Sequence, residues 1–130
     1  METQREDDIQ RCQAWRVNNV PQRSLLCGLV NGYERAFSYD DFWGYELMIG
    51  GDELRIYFAT GTVIVRGRRL RELSPRIAQE RVFYLQEKHV GEFEAEKDEP
   101  YIERIEFGPA DPQALGRERS FATLVKRAVG

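Results

Sequence analysis

The run from Gly44 to Gly67, "GYELMIGGDELRIYFATGTVIVRG", limits the fold of this chain more than any other stretch. Leu54, Ile56 and Phe58 alternate with Arg55, Tyr57 and Ala59. Val63 and Val65 alternate with Thr62, Ile64 and Arg66. Successive side chains of a strand point to opposite faces, so each segment predicts one buried face and one partly wet face. Gly50-Gly51-Asp52 and Thr60-Gly61 are turn signals. Strands joined by tight turns make an antiparallel meander.

The alternation continues on both sides. "SLLCGLV" (24–30) and "YERAFSY" (33–39) flank Asn31-Gly32, which predicts a hairpin closed by a two-residue type I′ turn. "VFYLQEKH" (82–89) reads as a strand with Phe83 and Leu85 inward. "YIERIEF" (101–107) reads as its partner across an acidic connector, 90–100. Between the meander and this pair, Leu70, Leu73 and Ile77 fall at i, i+3 and i+7, one face of a helical segment. Pro75 suits a first helical position with Ser74 as N-cap. The spacing predicts a turn of helix or an irregular crossover at 68–73 and a short helix at 75–81. Ile9, Cys12 and Trp15 form a partial stripe that predicts a helix from about Thr3 to Val17. Phe121, Leu124, Val125 and Ala128 predict a C-terminal helix over 113–128, weakened in its first turn by Gly116.

The expected fold class is α+β. It is mainly an antiparallel β-sheet or small barrel of about seven strands, with a short mid-chain helix and a C-terminal helix. Residues 1–20 read as a polar, partly helical lead-in, and 21–130 as a single β-rich domain. A chain of 130 residues suffices for one core.

Charge narrows the partners. The net charge is -3 and the pI near 5.3, so attraction to a polyanion needs a local patch. No apolar run approaches the ~20 residues that span a bilayer. The opening "METQREDDIQ" lacks the basic and apolar regions of a secretory signal. A cytoplasmic location and no membrane partner are therefore expected. Cys12 and Cys27 lack metal-ligand spacing and are expected to remain thiols there.

One basic patch does stand out. "VIVRGRRLRELSPRIAQER" (63–81) carries Arg66, Arg68, Arg69, Arg71, Arg76 and Arg81, offset only by Glu72 and Glu80. The stretch 87–106 is its acidic counterpart, with Glu87, Glu92, Glu94, Glu96, Asp98, Glu99, Glu103 and Glu106. Segregated charge of this kind steers a partner, or a second copy, into register. Arg66, Arg68, Arg69 and Arg71 are the candidate partner- or phosphate-binding residues, because guanidinium forks match oxyanions. Phe37, Tyr39, Phe42, Trp43 and Tyr45 are too crowded to all point inward. Tyr39, Trp43 and Tyr45, with Tyr57 near enough to the arginines to stack on a base, are the candidate aromatic rim.

Catalytic signatures are missing from the sequence. Asp40 and Asp41, as strand neighbours, would face opposite ways and suit a turn or cap better than acid–base work. His89 is the only histidine. Gly50-Gly51 lies between strands, not in a phosphate loop before a helix. No catalytic residue, metal or cofactor is expected. The functional expectation is a non-enzymatic binding or adaptor protein that associates with a protein partner or with itself. Single-stranded RNA or DNA binding through arginines 66–71 is the alternative, and an enzyme without a recognisable motif is third.

Overall fold

A computed structural model of the chain describes residues 14–88 and 99–116. Among the described residues, eight strands form two four-stranded sheets. In chain order the strands are β1 (Trp15–Val17), β2 (Ser24–Gly28), β3 (Glu34–Ser38), β4 (Phe42–Leu47), β5 (Glu53–Phe58), β6 (Gly61–Arg68), β7 (Val82–Gln86) and β8 (Tyr101–Gly108). Two short helices, α1 (Ser74–Ala78) and α2 (Pro112–Gly116), and two 3-10 turns, Tyr39–Asp41 and Leu70–Glu72, complete the described elements.

The meander is present as expected. β4, β5 and β6 pair antiparallel in register, with Leu47 opposite Leu54 and Leu54 opposite Val65. Leu54, Ile56, Phe58, Val63 and Val65 are fully buried between the sheets. The other face is not simply wet. Tyr57 and Thr62 are buried there, and Trp43 and Ala114 pack with Tyr57 as a small second cluster.

The remaining strands depart from the expected pairing. β8 does not pair with β7. It lies against β6 and completes the order β4-β5-β6-β8. β7 sits in the other sheet between β1 and β2, antiparallel to the first and parallel to the second. Parallel neighbours need a crossover, and here it is everything between β2 and β7, with the segment 69–81 bringing the chain back from the other sheet. Leu70, Leu73 and Ile77 of that segment are fully buried in the main core. Two open sheets therefore replace the small barrel. Val82 and Leu85 are the buried residues of β7, and Phe83 is only half-buried.

Local departures have local causes. Residues 15–17 are a strand, not the end of a helix, because Trp15 and Val17 enter the core beside β7. The rest of the expected helix, 3–13, lies outside the described residues. So does most of the acidic connector, and so does the C-terminal helix beyond α2. The Asn-Gly hairpin forms, but Leu29 N–H bonds to Tyr33 O and closes a longer loop. Asn31 Oδ1 accepts the Tyr33 N–H (2.9 Å), and Gly32 takes φ +95°. That is a three-residue loop with a left-handed last position, not a type I′ turn. The mid-chain helix is shorter than 75–81, with Leu73 as N-cap and Pro75 in its first turn, where a missing N–H costs nothing.

Aromatic rings join the two sheets. Phe37 of β3 stacks on Phe58 of β5 with centroids 4.8 Å apart, and Tyr39 meets Phe42 edge-on at 5.9 Å. Gly67 marks the tightest backbone contact. The strand bulges between Arg66 and Gly67, and a Cβ at Gly67 would collide with Tyr101 O. Gly67→Ala is expected to cost about 3 kcal/mol in urea unfolding, whereas Gly108→Ala, with nothing within 4 Å of its Cβ, should stay within about 0.5 kcal/mol. Equal effects of the two substitutions would refute the contact.

Candidate functional site

The expected arginine cluster divides in two. Arg66 belongs to the sheet. Register places Glu53, Arg66 and Arg104 side by side on the outer face of β5, β6 and β8, with Arg55, Ile64 and Glu106 in the next row. A zigzag of ion pairs links them. Arg55 Nε meets Glu53 Oε2 at 2.7 Å, and Arg66 Nε meets Glu53 Oε1 at 3.2 Å. Arg66 Nη1 meets Glu106 Oε1 at 3.0 Å, and Arg104 Nε meets Glu106 Oε2 at 2.9 Å. Opposite charges across neighbouring strands stabilise a sheet modestly and specify its register. Burial alone would raise the Glu53 carboxyl pKa, but Arg55 and Arg66 hold it below its usual range. Hydrogen bonding to Glu106, then to Glu53, keeps Arg66 more firmly protonated than a free guanidinium.

The chain leaves the sheet after Arg68, the last residue of β6, and Arg68, Arg69 and Arg71 gather at that end. Arg68, Arg69, Arg71 and Glu72 line an open pocket of about 480 Å³ whose other wall is Gly50-Gly51. Backbone bonds hold the walls together. Gly67 N–H donates to Asp52 O (3.1 Å), and Leu70 N–H donates to Gly51 O (3.3 Å). Gly50 and Gly51 have φ of +100° and +78°, a conformation that favours glycine, and the Asp52 carboxylate lies beside the first, its Oδ1 3.7 Å from where a Gly50 Cβ would be. Arg69 is itself left-handed at φ +64°, an uncommon conformation for a side-chain-bearing residue.

Each guanidinium is differently engaged. Arg68 lies over the Tyr101 ring, 4.5 Å from its centroid, with Nε 3.4 Å from Glu99 O. Arg69 pairs with Glu72, Nε to Oε2 at 2.7 Å. Arg71 is exposed, and among the described residues its guanidinium makes no hydrogen bond or ion pair. Its Nη2 stands 3.5 Å from where a Gly51 Cβ would be.

The four expected rim aromatics do not share a surface. Tyr39 is buried in the core and its hydroxyl donates to Val82 O at 2.6 Å. Tyr57 is buried on the outer face, donating to Glu46 Oε1 at 2.5 Å. Trp43 is half-buried against Tyr57, at the β4 bulge. Tyr45 is half-buried on the core side. Asp40 and Asp41 sit in the 3-10 turn after Ser38, whose Oγ accepts the Asp40 N–H. Among the described residues no three His, Cys, Asp or Glu gather as metal ligands.

Two features of the surface escaped sequence reasoning. Gly50-Gly51 forms a pocket wall, although it is not a phosphate loop before a helix. Its only local signal was two adjacent glycines opposite an arginine run. The second is the edge of β4, which no strand among the described residues covers. Met48 N–H bonds to Glu53 O, so in the alternating ladder Tyr45 and Leu47 turn their N–H and C=O groups away from β5. Ile49, at the tip beyond that edge, is fully exposed. Compared with protein-family models, curated proteins and solved structures, the chain matches none.

Cys27 is a core residue. Burial pushes its thiol up to about 12 from an ordinary 9.0, against a small opposing pull from Arg35. Burial also raises the Tyr39 phenol. The unfolded chain would ionise first, leaving more protons on the native state, so stability falls as pH rises. From Cys27 the loss approaches about 1.4 kcal/mol per pH unit above its ordinary value. Urea midpoints measured from about pH 8 to about pH 10.5 should fall, and less steeply for Cys27→Ala. Parallel slopes for the two proteins would show that the thiol is not desolvated.

Proposed function

We propose that this chain is a non-enzymatic binding protein that associates with another protein, or with a second copy of itself, by strand addition at β4. The supporting observation is the backbone of Tyr45 and Leu47, unpaired among the described residues, on an edge whose sequence, "FWGYEL", contains no lysine, arginine or proline. Exposed strand edges pair readily, and natural sheets usually blunt them with charge, proline or cover. Strand addition draws affinity from main-chain hydrogen bonds and selectivity from alternate side chains. Trp43, Tyr45 and Leu47 are each only half-buried and border the edge, leaving apolar area for a partner to cover.

Charge supports the same reading. Opposite-sign segments steer complementary surfaces together. The outer-face zigzag consumes Glu53, Arg55, Arg66, Arg104 and Glu106 internally. Association therefore draws on the residues outside it. Single-stranded nucleic-acid binding is less favoured. Arg66 is already paired and Tyr57 is buried, so a strand would meet Arg68, Arg69 and Arg71 without the expected stacking ring.

Sedimentation velocity across the micromolar range should show reversible association that Tyr45→Pro abolishes. The Tyr45 N–H points away from β5, so proline there removes no bond of the β4–β5 ladder. Tyr45→Lys is the second variant, blocking the edge by charge with the N–H retained. A monomer at every concentration would end the self-association form. Selection of extended peptides that bind wild type and both variants equally would end the strand-addition form.

A further inference from the structure

After β8 the chain crosses the outer face of its sheet toward the β4 edge. Gly108 closes β8 opposite Thr62, and Thr62 Oγ1 donates to Pro109 O at 2.9 Å. Thr62 is paired with Tyr57, and Tyr57 with Gly44, so one row of residues runs from β6 to β4. Ala114 of α2 is fully buried further along this row, against Tyr57 and Trp43. Neighbouring strands lie about 4.8 Å apart, so by Ala114 the chain has crossed most of the sheet from β8 to β4.

The sequence after Gly116 matches what that edge lacks. Fourteen residues follow, 117–130. Phe121, Val125 and Ala128 stand seven, eleven and fourteen positions after Ala114. In helical spacing those offsets return to one face, so the face that is seated at Ala114 continues in apolar residues. At helical rise fourteen residues span about 21 Å, close to the length of a six-residue strand such as β4. The segment is also basic, with Arg117, Arg119, Lys126 and Arg127 against Glu118. β4 carries the complementary charge. Glu46 accepts the Tyr57 hydroxyl and makes no ion pair among the described residues. Sheet edges are guarded by lysine, by proline or by a covering helix or loop, and "FWGYEL" has neither of the first two.

We infer that residues 117–130 lie along β4 as a removable cover, with Phe121 and Val125 against the Trp43 side of the edge and the basic side chains toward Glu46. A partner strand has to displace this cover before it pairs with Tyr45 and Leu47. That regulatory role rests on the strand addition proposed above, whereas the contact itself does not. A cover seated about nine-tenths of the time lowers the apparent affinity for a partner about tenfold, because only the uncovered fraction is competent.

The test keeps the full chain. Amide exchange is read by mass spectrometry on the peptide covering 42–48, at a concentration where the chain is monomeric. Phe121→Asp/Val125→Asp should speed exchange there about tenfold. Residues 62–66 of the central strand β6 should stay protected, which shows that the fold is retained. Val125→Asp alone is the milder variant where the double one loses that protection. Thr123→Asp adds the same charge nine positions after Ala114, half a turn away, and should exchange like wild type. Sedimentation velocity should show the double variant associating at about tenfold lower concentration than wild type. Equal exchange in wild type and all variants would overturn the cover. Faster exchange with unchanged association would overturn its regulatory role. Faster exchange with no association of any chain would support the contact and count against self-association alone.

Discussion

Much of this structure depends on how closely the backbone at Gly67 approaches β8. The chain there presses so near Tyr101 that no side chain fits. The bulge beside it lets β6 serve two purposes. Before the bulge, Val63 and Val65 face the core and Arg66 faces outward among ion-pair partners. After Arg68, the chain swings off the sheet into the turn at Leu70–Glu72, where Leu70 plugs the core and the arginines beside it face solvent. A straight strand would have continued the alternation and spread the arginines over both faces of the sheet.

Electrostatics follows that geometry. Arg66 lies between two carboxylates in a cross-strand zigzag, while Arg71, five residues on, has no described partner. Residues that look alike in sequence thus differ in role. The first contributes to the register of β5, β6 and β8. The second leaves an exposed guanidinium beside Gly51. A guanidinium already satisfied by two carboxylates has little to offer an incoming anion, because binding would first have to break those pairs.

The meander was readable because its pattern is local. Leu54, Ile56 and Phe58 alternate over a few positions, and the turns between strands are short. The crossover was readable for the same reason, since Leu70, Leu73 and Ile77 keep helical spacing and Pro75 allows only an early helical position. Pairing of β7 and β8 was not readable. Both alternate, and alternation says which face is buried without saying which neighbour lies alongside. Trp15 and Val17 fitted a helical stripe as well as a strand, and packing beside β7 made them a strand. The rim aromatics failed as a group because the β4-β5-β6-β8 sheet buries side chains on both faces, so Tyr57 on the supposedly wet face is covered by Trp43 and Ala114.

By itself, then, the sequence determined the strand-rich character, the antiparallel meander, the turn positions and the local concentrations of charge. These rest on periodicity, glycine and proline, whose preferences act within a few residues. Tertiary structure alone decided that there are two open sheets, that β7 lies parallel to β2, that β4 is left as an edge, and that Gly50-Gly51 faces Arg71. Each of these joins segments distant along the chain. Their choice depends on which apolar faces can close over one another, and no short-range pattern carries that information.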